Sequence, residues 1–148
     1  MGVEDVPRAL TTMKINPYLA FDGTCREAFE FYATALGGQI AFMQAIGETP
    51  MAAHMPAESH DRIMHVTMRV GDQVLQGADA PTGQFTQPAG FCVALHFEET
   101  AEGERVFNAL APGGKVQMPF QATFWAKGFG MLIDRFGTPW IINAGQQI

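Results

Sequence analysis

Residues 24–38, TCREAFEFYATALGG, and residues 100–114, TAEGERVFNALAPGG, follow one pattern written twice. Each opens on threonine, carries apolar residues at helical spacing and closes on Gly-Gly, at Gly37-Gly38 and at Gly113-Gly114. The same offset of 76 positions relates Leu19 to Leu95, Phe21 to Phe97 and Phe31 to Phe107, so it holds across a strand, a helix and a turn. A displacement that persists through three kinds of element marks a duplicated supersecondary unit. In such a chain the expected place for a site is where the copies meet, because concave surfaces form between units.

Working outward from the first copy, Thr24-Cys25-Arg26-Glu27 has the form of a capping box, in which the hydroxyl takes the third helical amide and the glutamate reaches back. Ala28, Phe31, Tyr32, Ala35 and Leu36 then make an apolar stripe, and Gly37 supplies a left-handed residue at the helix end. Ahead of this helix, residues 14–21 (KINPYLAF) alternate as a strand, with Leu19 and Phe21 on one face and Asn16, Tyr18 and Ala20 on the other. After it, residues 39–46 predict a second strand. Residues 47–61, with Pro50, Pro56, His54 and His60, read as a long loop. Residues 62–70 alternate again, Met64, Val66, Met68 and Val70 against Ile63, His65, Thr67 and Arg69, and Gly71-Asp72 turns them into a strand over 73–79. Pro81, Gly83, Pro88 and Gly90 mark residues 80–90 as a linker.

The second copy keeps this order: strand 91–97, helix 100–111, strand 115–120, a longer connection through Phe124-Trp125, strand 129–134, a turn at Gly137-Thr138-Pro139 and strand 140–144. Gly103 inside the second helix weakens it by about 1 kcal/mol relative to alanine. The expected fold is an α+β domain over 14–148, built from two βαβββ modules (14–79 and 91–144) whose sheets cup a shared cavity. Residues 1–13 are expected to form a flexible tail.

Composition narrows the function. A net charge of −6 and a pI near 5.0 argue against nucleic acid, which needs a basic face. No apolar run approaches the ~20 residues that span a bilayer, and Glu4, Asp5 and Arg8 interrupt the start where a signal peptide needs a continuous apolar core. Cys25 and Cys92 match no metal or redox spacing, and free thiols fit a cytoplasmic protein. There is no P-loop, no Ser-His-Asp order, no pair of catalytic carboxylates and no His-Glu-x-x-His run.

The doubled unit resembles the vicinal oxygen chelate superfamily, which includes glyoxalase I, extradiol dioxygenases and bleomycin- and fosfomycin-resistance proteins. The wording is most similar to its PhnB-like branch. Asn16-Pro17-Tyr18-Leu19, Phe21-Asp22-Gly23, Arg26-Glu27-Ala28 and Phe31-Tyr32 match that branch's opening. Ile63-Met64-His65 with Val70-Gly71-Asp72 matches its middle hairpin, and Phe124-Trp125, Phe129-Gly130-Met131 and the run from Asp134 to Trp140 match its C-terminal signature. In catalytic members of the superfamily each module gives ligands from its first and fourth strands to one divalent metal. The resemblance carries those positions onto Asn16, Gln76, Cys92 and Ile141. Ile141 has no donor atom, and two neutral amides with one thiol suit no usual metal. No cofactor is therefore expected, and a divalent metal enters only if this strand register is wrong. The branch also carries the label demethylubiquinone methyltransferase, but the Gly-rich turn of a Rossmann-type methyltransferase is absent.

The candidate site residues are Tyr18, His65, Thr67, Arg69 and Gln76 as the cavity lining, with Trp125 at its mouth. His65 stands opposite Met64 and Val66 in its strand, and it is read either as a buried structural histidine or as a functional group, the one candidate for catalysis. Arg69 could attract an anionic ligand. His96, on the side of Cys92, is read as structural, and His54 and His60 as solvated or as a lid with Met51 and Met55. Asp134 and Asp79 are expected to cap turn amides. The leading function is binding of a small organic molecule. The alternatives are an enzyme of the superfamily, metal-dependent or metal-free through His65, and a scaffold with a vestigial cavity. Uncovered sheet edges predict a two-fold homodimer, with the 47–61 loop and residues 124–130 near the interface.

Overall fold

The computed structural model describes residues 13–146, so the tail predicted over 1–13 lies, up to residue 12, outside the described residues. The chain runs β1 (Tyr18–Phe21), α1 (Cys25–Leu36), β2 (Gln39–Ala45), β3 (Ile63–Val70), β4 (Gln73–Asp79), β5 (Val93–Phe97), α2 (Thr100–Leu110), β6 (Lys115–Gln121), β7 (Ala126–Ile133) and β8 (Pro139–Gln146). Two four-stranded sheets result, in the orders β1-β4-β3-β2 and β5-β8-β7-β6. In each sheet the first strand lies parallel to the fourth and the other neighbours are antiparallel. The two βαβββ modules are repeats in space as well as in sequence. Tyr18 sits opposite Gln76 in the first sheet as Ala94 sits opposite Ile141 in the second.

Local chemistry explains the elements, with some corrections. Gly37 closes α1 in the left-handed conformation (φ 69°), and its amide and that of Gly38 both bond the Ala33 carbonyl. The capping box at the other end does not form, because the Thr24 side chain makes no capping bond. Asp79, at the end of β4 and opposite Phe21, does the work instead. Its Oδ1 accepts from the amides of Gly23 (2.7 Å) and Cys25 (3.1 Å), and its Oδ2 from Ile63 (2.8 Å). A full carboxylate aimed at a helix start outcompetes a hydroxyl. Within α1 it is Phe29 that is fully buried, while Phe31 packs at the margin under the Arg135 guanidinium, 4.2 Å from the ring centre.

The first strand is shorter than expected, beginning after Pro17, which has no amide hydrogen to give a ladder. Residues 46–59 are ordered as three short 3₁₀ turns, Ile46–Glu48, Pro50–His54 and Ala57–Ser59. His60 is not solvated as expected, since its Nε2 donates to the carbonyls of Ala52 (3.0 Å) and Met55 (3.2 Å). A bulge in β3 opposite Gln44/Ala45, with Met64 as the extra residue, shifts the start of that strand, so Ile63 is buried and Met64 exposed, the reverse of the simple alternation.

One core serves both modules. α1 brings Phe29 and Tyr32 to it and α2 brings Val106, Phe107 and Leu110; Val66, Met68, Leu132, Trp140 and Ile142 come from the sheets. The helix-bearing faces of both sheets therefore meet inside one chain, and the opposite faces look outward. The Tyr32 hydroxyl donates to Asp134 Oδ2 at 2.6 Å, a buried bond from the first module's helix to the turn before the last strand of the second.

Candidate functional site

The outward face of the first sheet gathers five of the six residues singled out from sequence. Alternation along β3 puts His65, Thr67 and Arg69 on this face and Val66 and Met68 in the core. Tyr18 of β1 lies opposite Gln76 of β4, which in turn lies opposite Thr67. The side chains join into one network. Tyr18 Oη is 2.9 Å from His65 Nδ1, His65 Nε2 is 2.9 Å from Thr67 Oγ1, and Gln76 Nε2 donates to the same Thr67 oxygen at 3.3 Å. Both nitrogens of the imidazole are thus engaged, which fixes the ring plane while leaving two tautomers available. Burial, and then the nearby Cys25 thiol, push the Tyr18 phenol above the usual tyrosine range, so it remains a neutral hydroxyl.

Aromatic rings border this network. The Tyr18 and Phe42 rings lie 5.6 and 6.1 Å from the His65 ring. Phe42 was not anticipated as a site residue, because the bulge in β2 breaks the alternation that would have revealed its side. Arg69 lies on the same face one alternation beyond Thr67, exposed, and forms no ion pair among the described residues. Beside Tyr18, residues Thr86, Gln87 and Phe91 of the linker enclose a shallow cleft of about 360 Å³. A larger groove of about 490 Å³ runs along the junction of the modules; its walls are mostly apolar, Leu36, Val70, Leu75 and Leu95 among them, with Gln73, His96 and Glu102 as the polar members.

Trp125 is not part of this network. It stands just before β7, meeting Phe124 and Phe129 edge to face (ring centres 4.8 and 5.1 Å), on the second sheet. The repeat shows how that sheet's outward face differs. Register places Ala94 where the first module has Tyr18, Ile141 where it has Gln76 and Met131 where it has Thr67; by the same alternation Phe129 replaces His65. The polar wall is therefore not duplicated. The second face keeps one polar pair, His96 and Asn143, whose Nδ1 and Nδ2 lie 3.4 Å apart. The other amide atom of Asn143 is buried and has no hydrogen-bond partner among the described residues.

Comparisons with known proteins agree with this architecture. Residues 13–143 match the model of a family described as 3-demethylubiquinone-9 3-methyltransferase. The chain belongs to that family. Protein YjdN of Escherichia coli K12 is 36% identical over 144 residues, covering 91% of this chain and 97% of that protein. Among solved structures, protein PA1353 of Pseudomonas aeruginosa is 44% identical with a TM-score of 0.83, over 92% of this chain and 100% of that one. A putative 3-demethylubiquinone-9 3-methyltransferase, PhnB protein, of Bacillus cereus is 25% identical with a TM-score of 0.75, over 89% and 99%. A glyoxalase/bleomycin resistance protein/dioxygenase family enzyme of Burkholderia phytofirmans shares the fold alone, at 13% identity and a TM-score of 0.55 over 88% and 94%. The chain is thus PhnB-like, with the fold of the glyoxalase/bleomycin resistance/dioxygenase proteins.

Two groups implied by kinship can be tested against the residues present. For the superfamily metal, the repeat relation keeps Gln76 and Ile141 equivalent, so the register that maps the ligand positions is consistent. Ile141 offers hydrocarbon and Gln76 an amide already bonded to Thr67. Among the described residues no three His, Cys, Asp or Glu side chains gather. This donor set does not fit a divalent transition metal. For a nucleotide-type methyl donor, the strand-to-helix turns at residues 22–24 and 98–99 hold Asp22-Gly23-Thr24 and Glu98-Glu99, neither of them Gly-rich, and the sheets are mixed rather than doubly wound. The family's description therefore does not transfer as an activity.

Proposed function

We propose that this protein binds a small organic molecule on the outward face of the first sheet, at the Tyr18–His65–Thr67–Gln76 network. The observation that carries the reading is the network itself: four polar side chains, bonded to one another, on the face of the first sheet opposite its core. Polar groups on a strand face away from a core need only water, and they are seldom organised around one imidazole flanked by two aromatic rings. The reading takes no metal and no methyl donor. It also takes a second copy of the chain as partner, closing the cavity that one chain leaves open, and a cytoplasmic location, consistent with free Cys25 and Cys92. Among the described residues no helix is long and apolar enough to cross a membrane.

A second reading is favoured by one specific feature. Tyr18–His65–Thr67 is a continuous run of groups able to pass a proton, so His65 could act as an acid or base on the bound molecule. A thermal-shift screen of small molecules tests the first reading, since a ligand at 100 times its Kd adds about 2.7 kcal/mol of stability. Turnover of a hit that stops in His65→Ala, with binding retained, would favour the second. If every hit stabilises a Thr67→Val/Gln76→Leu variant as well as the native chain, the site has been misplaced.

A further inference from the structure

We propose that the ligand of this face is a planar molecule bearing an anionic oxygen, a ring carboxylate or phenolate, with the oxygen held by Arg69 and the network's spare donors. The inference rests on the small-molecule reading above and specifies its chemistry.

Counting hydrogens gives the first argument. With neutral His65, the four network side chains carry five polar hydrogens: one each on Tyr18, His65 and Thr67 and two on the Gln76 amide. Three are used in the three internal bonds. If Nε2 carries the imidazole proton, it donates to Thr67 and the Thr67 hydroxyl hydrogen is left over. If Nδ1 carries it, it donates to Tyr18, Thr67 donates to Nε2, and the Tyr18 hydroxyl is left over. In either tautomer one hydroxyl and one amide hydrogen remain unspent on the same face. The network can therefore give two hydrogen bonds to an acceptor on a ligand, and it keeps the Gln76 carbonyl oxygen as an acceptor of its own.

Charge gives the second argument. The chain has 15 acidic against 9 basic residues, yet the residues that register and alternation place on this face include no carboxylate. They are Tyr18 and Ala20, Val74, Gln76 and Ala78, His65, Thr67 and Arg69, with Phe42 and Gln44. The titratable or charged members facing His65 are Tyr18 and Arg69. The acidic residue of the adjoining hairpin, Asp72, is bonded by the Gln73 amide at 3.2 Å. The two ion pairs of the described residues employ Arg62 and Arg105, not Arg69. A guanidinium with no ion pair among the described residues of an acidic protein, on a face with spare donors and no carboxylate, suits an oxyanion. The Tyr18 and Phe42 rings on either side of His65 supply flat apolar walls for a ring. The equivalent positions of the second module, Ala94, Phe129, Met131 and Ile141, offer no such donors.

Benzoate and its neutral isostere benzamide are suitable probes, read on the full-length protein by titration calorimetry and by the His65 ring resonances in NMR. Benzoate should shift those resonances and bind at least about tenfold more tightly than benzamide, the effect of one charge-assisted contact. Arg69→Gln should remove that preference without lowering the melting temperature of the unliganded protein. Equal binding of the two probes at His65, or a preference untouched by Arg69→Gln, overturns the anionic class while sparing the small-molecule reading. If neither probe, at millimolar concentration, moves the His65 resonances, the class falls, and the placement of the site at this face falls with it.

Discussion

Asp134 accepts four hydrogen bonds: from the Phe136 (2.8 Å) and Thr138 (3.1 Å) amides of its own turn, and from the Tyr32 hydroxyl and Trp140 indole (2.8 Å). A buried carboxylate so fully paired is structural, and it makes Tyr32 the residue that joins the modules. Tyr32→Phe should cost about 1.5–3 kcal/mol in urea denaturation, the usual worth of a bond to a charged group. It should also alter the alkaline limb of stability. Burial, then Asp134, hold the Tyr32 phenol far above the usual tyrosine range, and burial, then Asp79, do the same for the Cys25 thiol. Both folded values exceed the unfolded ones, so the contribution is complete below the unfolded values and is lost as pH rises past about 8.5 for the thiol and about 10 for the phenol. Native stability should therefore fall above about pH 10 by about 1.4 kcal/mol per pH unit on account of Tyr32, and Tyr32→Phe should flatten that segment. An unchanged slope in the variant would mean the phenol ionises in the folded state. At His65 the expected result is the opposite partition: His65→Ala should abolish ligand-induced thermal shifts while changing folding stability by less than about 1 kcal/mol, because the ring is only half-buried. Loss of more than about 2 kcal/mol with binding intact would return the residue to a structural role. Sequence alternation placed Tyr18, His65, Thr67 and Gln76 on one face, and Asp134 at its turn amides. It could not place Tyr32 against Asp134, since that bond spans 102 positions and no local pattern encodes it.

Elements follow the same logic of local signal and distant partner. Both helices and the strand order were legible because amphipathic spacing and Gly-Gly stops are local, and the 76-position repeat supplied the topology. The α1 cap was not, because its acceptor comes from β4. The length of β7 was also misjudged: it starts at Ala126, since Gly128 and Gly130 sit within a strand where glycine usually signals a break. The glycine within α2 illustrates how a local rule can be overruled. By propensity Gly103→Ala should gain about 1 kcal/mol. A Cβ there would stand 2.8 Å from the Ala144 Cβ of β8, a contact with a short side chain that cannot swing away. Overpacking of this kind costs about 1–3 kcal/mol, so the variant should be less stable than the native chain by chemical denaturation. A Gly103→Ala protein as stable as the parent would show that α2 can lift from β8, and hence that helix and sheet are packed less tightly than they look. Asp79→Asn tests the cap from the other side: it keeps the size but removes the charge that three amides share, and should lose about 2–4 kcal/mol.

At the scale of the whole molecule, the decisive property is that the helix-bearing faces of both sheets meet in one core and leave the opposite faces outside. One chain therefore cannot bring the polar face of its first module against the apolar face of its second, yet a shared cavity requires two walls. Large apolar side chains remain on the surface: Tyr18, Phe42, Val116 and Met118 are each 39–52% exposed and Phe124 is 90% exposed. The outer strand β6 has exposed side chains from Lys115 to Pro119, and the buried amide of Asn143 carries an oxygen with no partner among the described residues. Monomers rarely expose so much apolar surface without a use for it, and unpaired edges invite pairing. A two-fold dimer answers all of these at once, with the first sheet of one copy facing the second sheet of the other and the 124–130 segment close to the seam. Such an obligate contact should bury more than about 2,000 Å² in total. Multi-angle light scattering at micromolar concentration should therefore report twice the 16.1 kDa chain mass. Val116→Asp together with Met118→Asp should shift the particle to the monomer, and should abolish thermal shifts by ligand even though neither residue lies on the first sheet. A native chain that scatters as a 16.1 kDa monomer and still binds ligand at His65 would show instead that one sheet suffices as a site.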